Sequence, residues 1–209
     1  QLSAPAWLAR APGLVFHGTF NAIPAAIRGR AVVSIYDLSW ERHPEDLPPA
    51  KRLVFAAQAR WAARHADVIV TPSEFTARAI AQTYRVHRDR LSVVPIAVPE
   101  VFGPGRAGEA GEVLDRLGVH RPFVVAVGGA RRRGLPVAVE AWRRATAPGP
   151  DRPQLVVVGR EPPPSAAPPG VVHAGPLDDL EWARVLAAAE AFVYPTRFEG
   201  FGMPALEAA

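Results

Sequence analysis

Short, unbroken runs of aliphatic and β-branched residues alternate with helix-patterned segments along nearly all of this 209-residue chain. A strand with one wet face alternates apolar and polar side chains. A strand that is apolar throughout is buried on both faces, as in a parallel sheet covered by helices. In the first half, Leu14-Val15-Phe16 and Ala31-Val32-Val33-Ser34-Ile35-Tyr36 read as strands, and a helix is predicted from Pro49 to His65. Strand Asp67-Val68-Ile69-Val70-Thr71, a helix from Glu74 to Thr83 and strand Leu91-Ser92-Val93-Val94 follow. Ser73 stands where a hydroxyl accepts from an orphan amide of that helix's first turn. The stretch from Pro99 to Gly111 is rich in Pro and Gly and reads as a linker.

The alternation then restarts. Phe123-Val124-Val125-Ala126-Val127, Leu155-Val156-Val157-Val158, Val171-Val172-His173 and Ala191-Phe192-Val193-Tyr194 are the predicted strands. Helices are predicted from Leu135 to Ala147 and from Leu180 to Glu190, and residues 161–170 read as a Pro-rich loop. The expected fold is α/β: two doubly wound, Rossmann-like parallel-sheet domains, residues 1–98 and 113–209, joined by a linker at 99–112. In such folds ligands bind beyond the carboxyl ends of the strands, so chemistry is sought there.

Composition narrows the classes. The chain has no cysteine, which excludes a disulfide scaffold, a Cys-ligated zinc site and a Cys nucleophile. No apolar run reaches the length that a membrane-spanning helix needs. Net charge is +4 and the pI about 10.3, yet Lys51 is the only lysine. An Arg-, Ala- and Pro-rich chain of this kind reflects GC-rich coding. Acidic residues are interspersed throughout, unlike the one-sided footprint of a nucleic-acid binder. The chain starts at Gln1 and stops at Glu207-Ala208-Ala209 within a helical pattern. It is therefore expected to be a piece of a longer protein, inactive by itself.

The sharpest motif is Arg197-Phe198-Glu199-Gly200-Phe201-Gly202-Met203-Pro204-Ala205-Leu206-Glu207. Two glycines permit a tight turn with close backbone approach. Pro204 suits the first turn of a new helix, whose free amides then face the strand-end crevice as an anion site. Glu199 precedes the turn and Glu207 follows it, so both can line one crevice and accept from sugar hydroxyls. The second motif is Val127-Gly128-Gly129-Ala130-Arg131-Arg132-Arg133-Gly134-Leu135. Its glycines leave room for phosphate, and its guanidinium forks supply fixed positive charge.

With these two motifs and the strand ends together, the chain resembles the family 4 glycosyltransferases of the GT-B fold, especially mannosyltransferase-like bacterial members. The stretches that carry the likeness are Leu14-Val15-Phe16-His17, Val33-Ser34-Ile35-Tyr36-Asp37-Leu38, His43-Pro44-Glu45, Ala66 to Phe75, Leu91 to Pro95 and the two motifs. The resemblance implies that Arg132 and Arg133 hold the donor pyrophosphate, near Gly128 and Gly129. It assigns Glu199 to the donor sugar hydroxyls and Glu207 to the ribose. Amides around Gly200, Phe201, Gly202 and Met203 would approach the distal phosphate and sugar, and Gly159 and the Gly175 loop would border the base. His17 and Asp37 would face the cleft from the first, acceptor-side domain.

The activity so implied is a retaining, metal-independent transfer of a hexose, mannose by family likeness, from a nucleotide sugar to a glycan or lipid-linked acceptor. No further cofactor is implied. The expected location is cytoplasmic, with peripheral contact at the inner face of the membrane, and no nucleic-acid partner. No Asp-x-Asp metal motif occurs. Arg132, Arg133 and a helix start offer the metal-free way to stabilise the departing diphosphate. Tyr36 stands where the family usually has His, Arg133 where it has Lys, and Pro95-Ile96-Ala97-Val98 where it has Asn-Gly. A nucleotide-sugar epimerase or hydrolase of the same fold, or an inactive nucleotide-binding module, are the alternatives.

Other residues read as structural. His65, His87, His120 and His173 are expected on the surface, and Trp61, Trp142 and Trp182 in packing. The Pro49–His65 helix, with Lys51, Arg52, Arg60 and Arg64 beside Leu53, Phe55 and Trp61, reads either as a solvated face or as a membrane-surface helix.

Overall fold

The computed structural model describes residues 13–25, 27, 29–149, 151–160 and 168–209. Most of the Pro-rich loop expected at 161–170 lies outside them. The chain divides into two compact units. One comprises Gln1–Ile96 with Glu199–Phe201, the other Ala97–Phe198 with Gly202–Ala209.

In the first unit, β1 (Val15–Gly18), β2 (Arg30–Ser34), β3 (Val68–Thr71) and β4 (Leu91–Val93) form a parallel sheet among the described residues. Its order is β1-β2-β3-β4. Helix α1 (Ser39–Arg42) is a single turn, α2 spans Pro49–His65 and α3 spans Glu74–Tyr84. The run expected as strand through Tyr36 leaves the ladder at Ser34. The reason is local: the Asp37 carboxylate accepts from the Ser39 amide at 2.7 Å, turning the chain into α1. Ser73 caps α3 by accepting from the Thr76 amide at 3.1 Å. The core joins Val33, Ile35 and Ile69 of the sheet region to Ala59, Ala62 and Ala63 of α2 and Ala77 and Ile80 of α3. Alanines on the helix faces let the backbones approach the sheet closely.

In the second unit, α4 (Gly111–Leu117) precedes β5 (Phe123–Val127), α5 (Leu135–Ala145), β6 (Gln154–Val158) and β7 (Val171–Gly175). Then come α6 (Asp179–Ala188), β8 (Ala191–Val193) and α7 (Met203–Glu207). The sheet is parallel, with order β7-β6-β5-β8. The stretch read as a linker is structured. It holds a 3-10 turn at Pro104–Glu109, and Ala110 is fully buried. Its Pro and Gly residues set turns there rather than slack.

Period-two side-chain geometry explains why β6 is apolar from Leu155 to Val158. Val156 and Val158 enter one core with Phe123, Val125, α4 and α6, and Leu155 and Val157 enter another with Ala126, Ala138 and Trp142. Each fully buried side chain of this size stabilises the unit by about 1.5–3 kcal/mol. Helix α6 carries a complete capping box: Asp178 accepts from the Glu181 amide and Glu181 from the Asp178 amide.

Candidate functional site

The strand order of the second unit reverses at β5. From β5 the chain steps to β6 and β7 on one side, and β8 then returns to the other. In open α/β sheets the crevice forms at such a switch point, outside the carboxyl ends. Both sequence motifs leave the sheet there, one after β5 and one after β8.

The strand ends are knit by glycine. The Gly128 amide donates to the Val158 carbonyl at 2.8 Å, and the Gly159 amide to the Gly175 carbonyl at 2.9 Å. Gly159 has φ +139°, and a Cβ there would lie 3.2 Å from the Gly128 carbonyl oxygen. His173, expected only on the surface, is exposed but donates from Nε2 to the Gly159 carbonyl at 2.9 Å. Above these glycines opens a cavity of about 430 Å³. Gly128, Gly129, Arg133 and Gly159 of the expected set line it, with Arg160, Leu177, Trp182 and Pro204.

The arginine cluster forms a 3-10 turn over Arg131–Arg133, between the end of β5 and the start of α5. Arg133 Nη1 donates to the Gly128 carbonyl at 3.3 Å, which folds the guanidinium back over the glycine loop. The Arg132 carbonyl accepts from the Arg197 amide at 2.9 Å, which ties this turn to the segment after β8. Gly134 closes the turn with φ +71°, and a Cβ there would meet the Pro195 carbonyl oxygen at 2.5 Å. Only glycine fits that position without rearrangement.

Glu207 is tied to the cavity wall rather than standing in it. One of its carboxylate oxygens accepts from Trp182 Nε1 at 2.8 Å. Trp182 is buried in the core, as expected of a packing residue, and its indole N–H also orients a carboxylate beside the cavity. Gly202 has φ +93° at the start of α7, and Met203 opens that five-residue helix. Gly175 ends β7 at φ +71° in open space.

Glu199, Gly200 and Phe201 group with the first unit. The Gly200 carbonyl accepts from the hydroxyls of Ser73 at 2.5 Å and Thr76 at 2.9 Å. In the first unit, His17 lies on exposed β1 with Nε2 bonded to Ser34 Oγ at 2.9 Å. Asp37 holds the Ser39 amide, and Tyr36 beside it is exposed. Among the described residues, no cluster of three or more His, Asp or Glu side chains is placed to hold a metal ion.

Arg160 is a charged cavity residue that the sequence reading missed. The available signal was a cation directly after a strand-ending glycine, Val158-Gly159-Arg160. For Trp182, a helical tryptophan carries no mark that distinguishes packing from orientation.

Residues 3–100 match the model of Glycosyltransferase Family 4, and residues 121–209 match that of Glycosyl transferases group 1. Two models of glycosyltransferase domains thus match in succession along the chain. Among solved structures, the chain is similar to Anabaena HepE in complex with UDP-glucose, at 17% identity and a TM-score of 0.63, over 88% of this chain and 51% of that one. It is also similar to WaaG, a glycosyltransferase involved in lipopolysaccharide biosynthesis. There the identity is 18% and the TM-score 0.64, over 88% of this chain and 57% of that one. At these identities the likeness establishes the fold, the GT-B class with two parallel-sheet domains. The chain spans about half the length of those structures. No match to it was found among curated proteins.

Proposed function

We propose that the chain belongs to a glycosyltransferase that moves a hexose from a nucleoside diphosphate sugar to a glycan or lipid-linked acceptor. The observation that carries this reading is the cavity at the switch point. Glycines in its lining leave room for phosphate, Arg133 and Arg160 bring positive charge, and Trp182, whose indole donates to Glu207, stands in its wall. The complexes of HepE with UDP-glucose and with UDP and glucose support a nucleotide-sugar donor.

The cavity suits the charge that such a transfer develops. As the bond from the anomeric carbon to the distal phosphate oxygen breaks, an acceptor hydroxyl oxygen bonds to that carbon and its proton passes to the departing phosphate. Negative charge then gathers on the departing diphosphate. Guanidinium groups fixed before the reaction stabilise it without reorganisation. Arg132 and Arg133 take this role, Glu207 holds ribose hydroxyls, and Glu199 takes the sugar hydroxyls. Retention of anomeric configuration, and mannose as the hexose, follow the family resemblance.

Titration calorimetry tests the reading. Replacing Arg133 by Ala is expected to weaken binding of a nucleoside diphosphate by about tenfold to a hundredfold, the worth of a charge-assisted hydrogen bond. Binding of the bare nucleoside is expected to stay unchanged. Equal loss for both ligands would remove the phosphate role. A protein that binds donor but transfers no sugar would be the inactive module instead.

A further inference from the structure

We infer that the second unit carries a separate site for a phosphorylated monosaccharide, at the edge of its sheet opposite the nucleotide cavity. The inference is independent of the nucleotide reading. A cavity of about 570 Å³ opens at the amino ends of β5, β6 and β7, a volume in the range of small-molecule sites. Strand β6 is five residues long, so this edge lies about 16 Å from the glycines at the other end. Arg121, Asp151 and Arg152 line the cavity, and Pro122, Pro148 and Pro169 give it an apolar wall.

The two arginines are held in an uncommon way. Five others of this unit, Arg106, Arg116, Arg143, Arg144 and Arg184, each pair with a glutamate. Among the described residues, Arg121 and Arg152 make no ion pair. Their partners are neutral. Arg152 stands 3.7 Å over the Trp142 ring, with Nε donating to Thr146 Oγ1 at 2.9 Å and Nη2 to the Arg143 carbonyl at 3.4 Å. Arg121 Nη2 donates to the Ala107 carbonyl at 2.8 Å. Such partners fix a guanidinium without cancelling its charge, so less side-chain entropy is lost when an anion binds. The frame around them is fixed too. Gln154 accepts from the His120 amide at 2.6 Å, which ties down the segment that carries Arg121. Gly170 has φ +95°, and a Cβ there would lie 3.2 Å from the Trp142 ring, the ring on which Arg152 stacks.

The lining selects the ligand. One guanidinium fork satisfies the two oxygens of a carboxylate, whereas the three terminal oxygens of a phosphomonoester can serve two forks. Asp151 pairs with neither arginine among the described residues, and its carboxylate accepts from hydroxyl groups. Proline rings pack on the C–H face of a sugar ring. A phosphorylated monosaccharide meets all three demands, and inorganic phosphate meets only the first.

Titration calorimetry of the purified chain with glucose 6-phosphate tests this. Binding is expected, about tenfold or more tighter than that of inorganic phosphate, and none is expected for glucose. Arg121→Gln is expected to weaken it by about tenfold or more, and Arg152→Gln by a similar factor. Arg121 is exposed, so its replacement leaves the core intact, and circular dichroism checks both variants. Arg78→Gln, an exposed cation of α3 in the first unit, is expected to change nothing, and so is Arg133→Ala. Four results would overturn the inference. They are no binding of glucose 6-phosphate; equal affinity for inorganic phosphate, which would mean an adventitious anion contact only; equal loss with Arg78→Gln, which would mean general charge attraction; and loss with Arg133→Ala but not with Arg121→Gln. The last would put the phosphate in the nucleotide cavity. Failure here and failure of the nucleotide reading are therefore told apart.

Discussion

Among the described residues, the strands of the first unit lie side by side in the order in which the chain makes them, whereas in the second unit β8 comes back to the far side of β5. The consequence shows at the carboxyl ends. In the first unit the polar groups there serve the chain itself: Asp37 turns it into α1, Ser73 caps α3, and His17 bonds to Ser34. In the second, the reversal parts the loops after β5 and β8, and glycines with positive φ keep side chains out of the gap. Two sheets of the same class thus differ in whether their edge is closed by their own side chains or left as a site. Strand order decides this, since a crevice needs neighbouring strands whose connections leave in opposite directions.

Glycine substitutions put the largest strain on this comparison. Gly134→Ala places a Cβ 2.5 Å from the Pro195 carbonyl oxygen at φ +71°. It is expected to cost about 1–3 kcal/mol in urea denaturation. Gly175→Ala has the same φ but open space around it, and about 1 kcal/mol is expected from backbone conformation alone. If the two cost the same, packing between the turn at Arg131–Arg133 and the segment after β8 does not shape the site.

A smaller effect is expected at the cavity wall. Trp182→Phe keeps the ring in the core but removes the donor to Glu207. Nucleoside affinity is expected to fall about fivefold, with inorganic diphosphate binding unchanged, as calorimetry would show. Loss of both would mean that the cavity itself has collapsed, and that Trp182 acts by packing.

The first unit has its own titratable device. Tyr84 accepts from Trp40 Nε1 at 3.0 Å and donates to Glu41 at 3.2 Å. Burial pushes its hydroxyl above the ordinary tyrosine value of 10.0. The stabilisation from the neutral phenol is complete below pH 10 and is lost as pH rises beyond it. Tyr84→Phe is expected to cost about 1 kcal/mol at neutral pH and to flatten the alkaline limb of a stability profile. An unchanged alkaline limb would place that pH sensitivity elsewhere.

The smallest effect belongs to α5. Hydrogen bonds from Arg143, then Arg144, hold the exposed Glu140 carboxyl down at about 2. Its contribution is present above the ordinary glutamate range and is lost only as pH falls through about 2. Solvent screens such pairs, so Glu140→Gln is expected to leave the melting temperature unchanged within error. A clear drop would show that surface ion pairs count for more in the second unit than its two cores suggest.

Much of the fold was legible in the residues. Helix α2 spans Pro49 to His65 as read, and β5 runs from Phe123 to Val127 as read. Both are long, uninterrupted patterns bounded by Pro, Gly or polar residues. Two short helices, α1 and α4, were not read, because four or seven residues carry too little periodicity to stand out. That Gly128, Gly129, Gly159 and Arg133 stand at strand ends was also legible, since glycines after a strand carry local conformational meaning. Arg160 and the second role of Trp182 were not. Their meaning comes from contacts across 25 residues or more, or from a cavity wall that no local pattern encodes.

The sequence by itself determined that the sheets are parallel and doubly covered, because strands apolar at every position have no other stable burial. It also determined that glycines and positive charge follow β5. Only the tertiary structure decided the order β7-β6-β5-β8, and with it where the crevice opens, because strand order depends on long-range pairing that leaves no local trace. It likewise decided that Glu199–Phe201 pack with the first unit and that Leu53, Val54 and Trp61 face outward. A helix with two apolar faces does not state in its own residues which one meets the core.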